Sequence, residues 1–180
     1  MEDMTRHLKN AIAEWDGKAV DAITRIHEAH KDAPDFSSTL IACLSDPACE
    51  RGVTWLIKHH LEEGWSEESS APTPKEVMAI LKALPDLAHW EAQLHVLQCL
   101  DRVQIPKPAA AALAAFLETA IASDTKFVRA WAYHGWYLLA DQHRSYRPQT
   151  MALLEAAHDI ESAPSAKVKI RNALERLAQQ

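Results

Sequence analysis

Ser123-Asp-Thr-Lys-Phe-Val-Arg-Ala-Trp-Ala132 opens a segment that runs on through Leu138 and Leu139, apolar on most of its circumference. A serine–aspartate pair ahead of such a run reads as a helix start, because a short polar side chain accepts from the free N–H groups of the first turn. A helix apolar nearly all round belongs between neighbours on both sides. Its counterparts elsewhere in the chain decide the fold. Arg51-Gly-Val-Thr-Trp-Leu-Ile57, Glu91-Ala-Gln-Leu-His-Val-Leu97, Arg129-Ala-Trp-Ala-Tyr-His-Gly135 and Lys167-Val-Lys-Ile-Arg-Asn-Ala173 align with small or apolar residues in matching columns. Their first residues lie 40, 38 and 38 positions apart. A repeat of that length is the mark of stacked helix pairs.

Outward from these blocks, periodicity and its stops predict ten helices. Leu8, Ile12 and Trp15 mark the first and Val20, Ile23 and Ile26 the second, which stops before Pro34. Leu40, Ile41 and Leu44 carry a short third. Asp46-Pro47 predicts an N-cap with proline in the first turn of the fourth, which ends at Gly64. The polar, proline-bearing stretch 64–74 reads as a linker between helix pairs. Thr73-Pro74 with Glu76 restarts the chain in a fifth helix, closed by Pro85, and Trp90 to Leu100 form the sixth. Pro106 and Pro108 precede an alanine-rich seventh, Ser123-Asp124 opens the eighth, Pro148 the ninth, and Ser162 to Pro164 the tenth. Each aligned block falls on the second helix of its pair.

Asp124-Thr-Lys-Phe-Val-Arg-Ala-Trp-Ala132, and in part Asp46 through Arg51, resemble the HEAT repeat: an aspartate at the turn, a valine–arginine pair, then an alanine-rich stripe. The block after Leu87 has glutamate in place of the arginine, and the last repeat starts on Ser162. The resemblance to HEAT-like or armadillo-type repeats covers roughly residues 34–180. It implies an all-α fold, a right-handed superhelix (solenoid) of about five antiparallel helix pairs, with 1–180 as a single domain. One helix pair cannot bury its apolar stripe alone, so stacking supplies the core.

Composition bounds the function. Apolar residues make up 48% of the 180 positions, which excludes wholesale disorder. Net charge is −6, and residues 1–74 hold seven Lys/Arg against fourteen Asp/Glu. A nucleic-acid partner does not fit that balance, since phosphate neutralisation dominates such binding. No run of about 18 apolar residues predicts a membrane span. The start of the chain lacks the apolar core of a signal peptide, and three cysteines, Cys43, Cys49 and Cys99, make no disulfide framework. A cytoplasmic address follows as the expectation.

No catalytic motif stands out. Cys99 lies in an apolar helical context, and four scattered glycines form no phosphate loop. His27 and His30 share a helical face, but the sequence shows no third ligand, and they read as surface histidines. Glu155-Ala-Ala-His158 lacks the second copy that a di-iron bundle needs. The expectation is therefore a non-enzymatic chain with no metal and no cofactor. Trp15, Trp90 and Trp131 fall on apolar stripes and read as core, whereas Trp65 stands in the linker.

The repeat alignment stacks equivalent positions into rows. Arg51, Glu91, Arg129 and Lys167 form one; Trp55, His95, Tyr133 and Arg171 the next; Lys58, Gln98 and Trp136, ending in Leu174, the third. Tryptophan, tyrosine and arginine dominate binding hot spots, so these rows fit a concave groove for a protein or peptide. They fit equally well ladders of polar contacts that hold the repeats together. On the groove reading Arg129, Tyr133 and Trp136 are partly exposed and Arg129 reaches Glu91. Two other functions remain open. Some alkylpurine DNA glycosylases look like HEAT-like solenoids, and Glu91 or Asp124 could supply their carboxylate beside Arg129, Tyr133, Trp136, Lys167 and Arg171. An acidic inhibitor of a basic partner protein would use the first 74 residues for electrostatic steering.

Overall fold

Alanine, leucine and few β-branched runs favour helix through their low side-chain entropy cost, and helix is what forms. The computed structural model describes residues 2–63 and 72–179, and among them there is no strand. The helices are α1 (Glu2–Ala13), α2 (Val20–His30), α3 (Phe36–Cys43), α4 (Glu50–Glu63), α5 (Pro74–Ala83), α6 (Trp90–Cys99), α7 (Ala110–Ala120), α8 (Lys126–Gln142), α9 (Arg147–Ile160) and α10 (Pro164–Ala178). The protein is all-α, as the periodicity predicts. Most of the 64–74 linker, with Trp65, lies outside the described residues. No described helix is long and apolar enough to cross a membrane.

The chain divides into two compact units, Met1–Cys99 and Leu100–Gln180. In the first, α4 is the hub: α1, α2, α3 and α6 all pack on it, and α3 packs on α5. Val53 and Leu56 are fully buried on α4 and meet a core that includes Leu8, Ile23 and Leu40. A Cβ at Gly52 would lie 2.6 Å from Ile12 Cγ2, so glycine lets α1 approach this closely. Gly17, between α1 and α2, has φ +75° and its carbonyl accepts from Arg51 Nη2 at 2.8 Å. Cys43, Cys49 and Cys99 all belong to this unit, and all are buried thiols outside any disulfide. Burial pushes the Cys43 and Cys49 thiols up from their ordinary value.

Local signals at the helix starts fare differently. Thr73 and Glu76 form a complete capping box at α5: the hydroxyl accepts from Glu76 N and the carboxylate accepts from Thr73 N at 2.8 Å. Asp46 instead caps a turn, accepting from Ala48 N at 3.0 Å, and α4 begins only at Glu50. Pro47 is thus a turn residue rather than the first residue of a helix.

In the second unit α8 occupies the middle, with α7, α9 and α10 packed around it and α9 on α10. Val128, Ala132, Trp136 and Leu139, spaced along one face, are fully buried. A Cβ at Gly135 would sit 2.7 Å from Leu117 Cδ2 and 3.2 Å from Leu100 Cδ1. That closeness fixes α8 against α7.

Candidate functional site

In the first unit one pair from the predicted rows meets across helices. Arg51 Nε lies 2.9 Å from Glu91 Oε2, joining α4 to α6, and the guanidinium stands 5.7 Å over the Trp15 ring. One position earlier, the buried Glu50 carboxylate accepts from Ala88 N and His89 N at 3.0 and 2.8 Å, the free donors ahead of α6. Thr54 donates its hydroxyl to Glu50 O at 2.7 Å, which leaves its lone pair facing His95 Nδ1 at 3.2 Å. Burial pushes the His95 imidazole down to about 4, with the Lys58 and Arg51 charges adding to it. Trp55 is wedged between Trp15 and His59, with ring centroids 6.5 and 4.6 Å away. Trp90, expected in the core, is 40% exposed and stacks on His89.

In the second unit the expected facing of α8 holds for Arg129, which is partly exposed, and for the buried Leu138 and Leu139, but not for its aromatic residues. Tyr133 and Trp136, expected at the surface, are buried at 5% and 0% exposure. Arg129 reaches Glu161 rather than Glu91: Nε and Nη2 donate to its two carboxylate oxygens at 2.9 and 3.0 Å. The same carboxylate accepts from Ser162 N and Ala163 N at 2.9 and 2.8 Å, at the mouth of α10. The Arg129 hydrogen bonds, helped by these two amides, hold the Glu161 carboxyl down to about 2. Asp124 offers its backbone carbonyl to Arg129 Nη1 at 3.1 Å. Lys167 and Arg171 are exposed on α10, the latter 4.0 Å from Glu175. Of the residues named for the glycosylase-like reading, Glu91 is paired with Arg51, and Tyr133 and Trp136 are buried.

What α8 presents outward is the first part of the stripe expected in the core. Phe127 is 47% exposed, and Trp131, one turn on, is half-buried. The Lys169 ammonium of α10 lies 3.7 Å from the centre of the Trp131 ring. His134 follows, its ring edge-on to Trp131 and stacked on Tyr137, with Nε2 donating to Asp101 Oδ1 at 2.7 Å. That hydrogen bond lowers the Asp101 carboxyl from its ordinary value. Arg176 covers the Tyr137 ring at 5.5 Å. Burial lowers the Lys169 ammonium below a free lysine. Aromatic faces under cations, beside an acid–imidazole pair, can recognise an apolar side chain and an anionic group together.

A second cluster surrounds His27, which is 1% exposed and so not the surface histidine expected. His59 and Glu63, four residues apart on α4, meet it because α2 packs on α4. His27 Nε2 lies 3.2 Å from His60 Nδ1, and Phe36 meets both rings edge-on. Burial, with the neighbouring His59 and His60, pushes the His27 imidazole below its ordinary value, and burial does the same to His60. His59, 32 residues further along the chain, and Glu63 thus join His27 through tertiary packing, and His30 is not part of the group. A small cleft of about 20 Å³ opens beside His60, lined also by Leu40, Ile57, Leu61 and Ile80. Glu155 and His158 of the other motif are exposed, with His158 Nδ1 3.3 Å from Asp159.

No family model matches this chain, and no curated protein matches it either.

Proposed function

We propose that the chain is a non-enzymatic recognition module of the HEAT-like or armadillo kind, an α-α superhelix that uses its second helices to bind a protein or peptide. The observation that carries this reading is the Trp131 ring under the Lys169 ammonium, with exposed Phe127 one turn away. Stacking of α2 on α4, of α4 on α6 and of α10 on α8 supports the repeat architecture, since second helices follow second helices. On this reading the binding residues differ from most of those in the repeat rows. Arg51, Glu91, His95, Arg129 and Tyr133 hold helices together, and Trp136 fills the core. Phe127, Trp131, Lys169 and Arg176, with Asp101 and His134 beside them, form the surface. Its cations and open aromatic rings suit a segment that offers an apolar anchor next to a carboxylate.

The test compares the wild type with Trp131→Ala/Lys169→Glu in crosslinked pull-downs, after circular dichroism shows both folded. Partners held by the wild type and by Arg171→Ala, but lost from the double variant, support the surface. Identical capture by all three overturns it. Lys169-dependent, sub-micromolar binding of duplex oligonucleotides at about 0.15 M salt would replace it with a nucleic-acid reading.

A further inference from the structure

We propose that His27, His59 and Glu63 of the first unit form a binding site for a divalent zinc ion. Three potential ligand atoms, His27 Nδ1, His59 Nε2 and a Glu63 carboxylate oxygen, lie within 4.8 Å of one another. Glu63 Oε2 stands 3.4 Å from His27 Nδ1, and Glu63 Oε1 stands 3.3 Å from His59 Nε2. Ligands placed tetrahedrally at zinc–nitrogen and zinc–oxygen bond lengths are separated by about 3.3–3.5 Å. Each separation, to its own oxygen of the Glu63 carboxylate, is thus of the size expected between neighbours around a shared cation.

They do not fit hydrogen bonds. Both His27 Nδ1 and His59 Nε2 are buried and lack a hydrogen-bond partner, although a carboxylate lies close to each. A buried polar nitrogen without a partner is uncommon, and two facing one carboxylate call for an explanation. The His27 ring also has the support that a ligand needs. In the tautomer in which Nε2 donates to His60 Nδ1, 3.2 Å away, the Nδ1 lone pair of His27 is left facing the site. Outer partners of this kind fix the tautomer and orientation of metal-bound histidines. Phe36 against His27 and Trp55 against His59 hold the two rings from the sides.

The donor set selects the class of ion. Two imidazoles and one carboxylate suit zinc and its transition-metal neighbours rather than calcium or magnesium, which take oxygen shells. Three protein ligands leave a fourth position for water or for Glu28, whose Oε1 is 3.7 Å from His27 Nδ1. Glu63 keeps 44% of its side chain exposed, which gives the ion a way in. The ion would staple α2 to the last turn of α4, a role independent of the surface on the second unit.

The experiment strips the full-length protein with a chelator, titrates zinc chloride by calorimetry and counts retained metal after dialysis. One zinc per chain is expected, with cobalt(II) at the same site showing the intense visible bands of tetrahedral coordination. His27 is fully buried and its variants could unfold, so the more accessible ligands carry the test. His59→Asn and Glu63→Gln, each verified as folded, are expected to weaken zinc at least about tenfold. His158→Ala, at an exposed histidine elsewhere, is expected to leave it unchanged. No binding up to about 1 mM zinc overturns the site. So does binding that survives both ligand substitutions.

Discussion

Tyrosine and tryptophan carry an apolar body and a polar edge, so neither residue says by itself which way it faces. On α8 this ambiguity decides the reading. Trp136, fully buried, fills the centre of the second unit, whereas Trp131 is half-covered by Lys169. Trp136→Ala is therefore expected to cost about 3–5 kcal/mol through lost burial and a cavity. Trp131→Ala gives up partial burial and a cation–π contact worth only about 0.5–2 kcal/mol. Urea denaturation of the two variants checks the order. Equal losses would mean that Trp131 is as much a core residue as Trp136. The lysine that covers Trp131 lies 38 residues further along the chain, which is why periodicity alone misplaced the aromatic residues. The capping box at Thr73 and Glu76 was legible for the opposite reason: its partners are three residues apart and need no tertiary information.

Between elements, two charged residues do equivalent work. Glu50 on α4 reaches the free amides ahead of α6, and Glu161, ahead of α10, receives Arg129 from α8. The spacing of the aligned blocks placed Arg51 with Glu91 and predicted a polar ladder as one alternative. It could not place Arg129, because Glu161 stands before α10 and outside the aligned columns. With its folded pKa near 2, below its unfolded value, Glu161 stabilises the native state fully above about pH 4.5. That contribution is lost as pH falls toward 2. The shift corresponds to roughly 3 kcal/mol at neutral pH, to order of magnitude. Glu161→Gln should lose it at pH 7 yet fall less steeply on acidification, which chemical denaturation between pH 7 and pH 3 would read. Parallel pH profiles for variant and wild type would contradict this account. The histidine cluster needs the same kind of knowledge: that α2 lies on α4 brings His27 to His59, and no local spacing announces it.

At the scale of the molecule the two units are expected to answer acid differently. His95, held down to about 4 by burial, is neutral in the folded first unit and protonates more readily when unfolded. Its stabilisation is complete above about pH 6.5 and drains away as pH falls toward 4. His27 and His60 are lowered in the same direction. The first unit should therefore weaken at a higher pH than the second, where Glu161 titrates. Hydrogen exchange followed by mass spectrometry at pH 7 and pH 5 would show protection falling in peptides from 1–99 before those from 100–180. Simultaneous loss would mean that other groups govern acid unfolding.

The three cysteines give that difference a clock. All lie in the first unit, all are buried, and the second unit has none. A thiol reagent in excess can react only when the first unit opens, so its rate counts those openings without any contribution from the other half of the chain. At pH 7 the native protein should modify far more slowly than the urea-unfolded chain. Substitutions inside the second unit should leave that rate unchanged unless opening of the two halves is coupled. The ratio of the two rates then yields the opening equilibrium of residues 1–99 directly, a quantity that a single melting curve of the whole chain would average away.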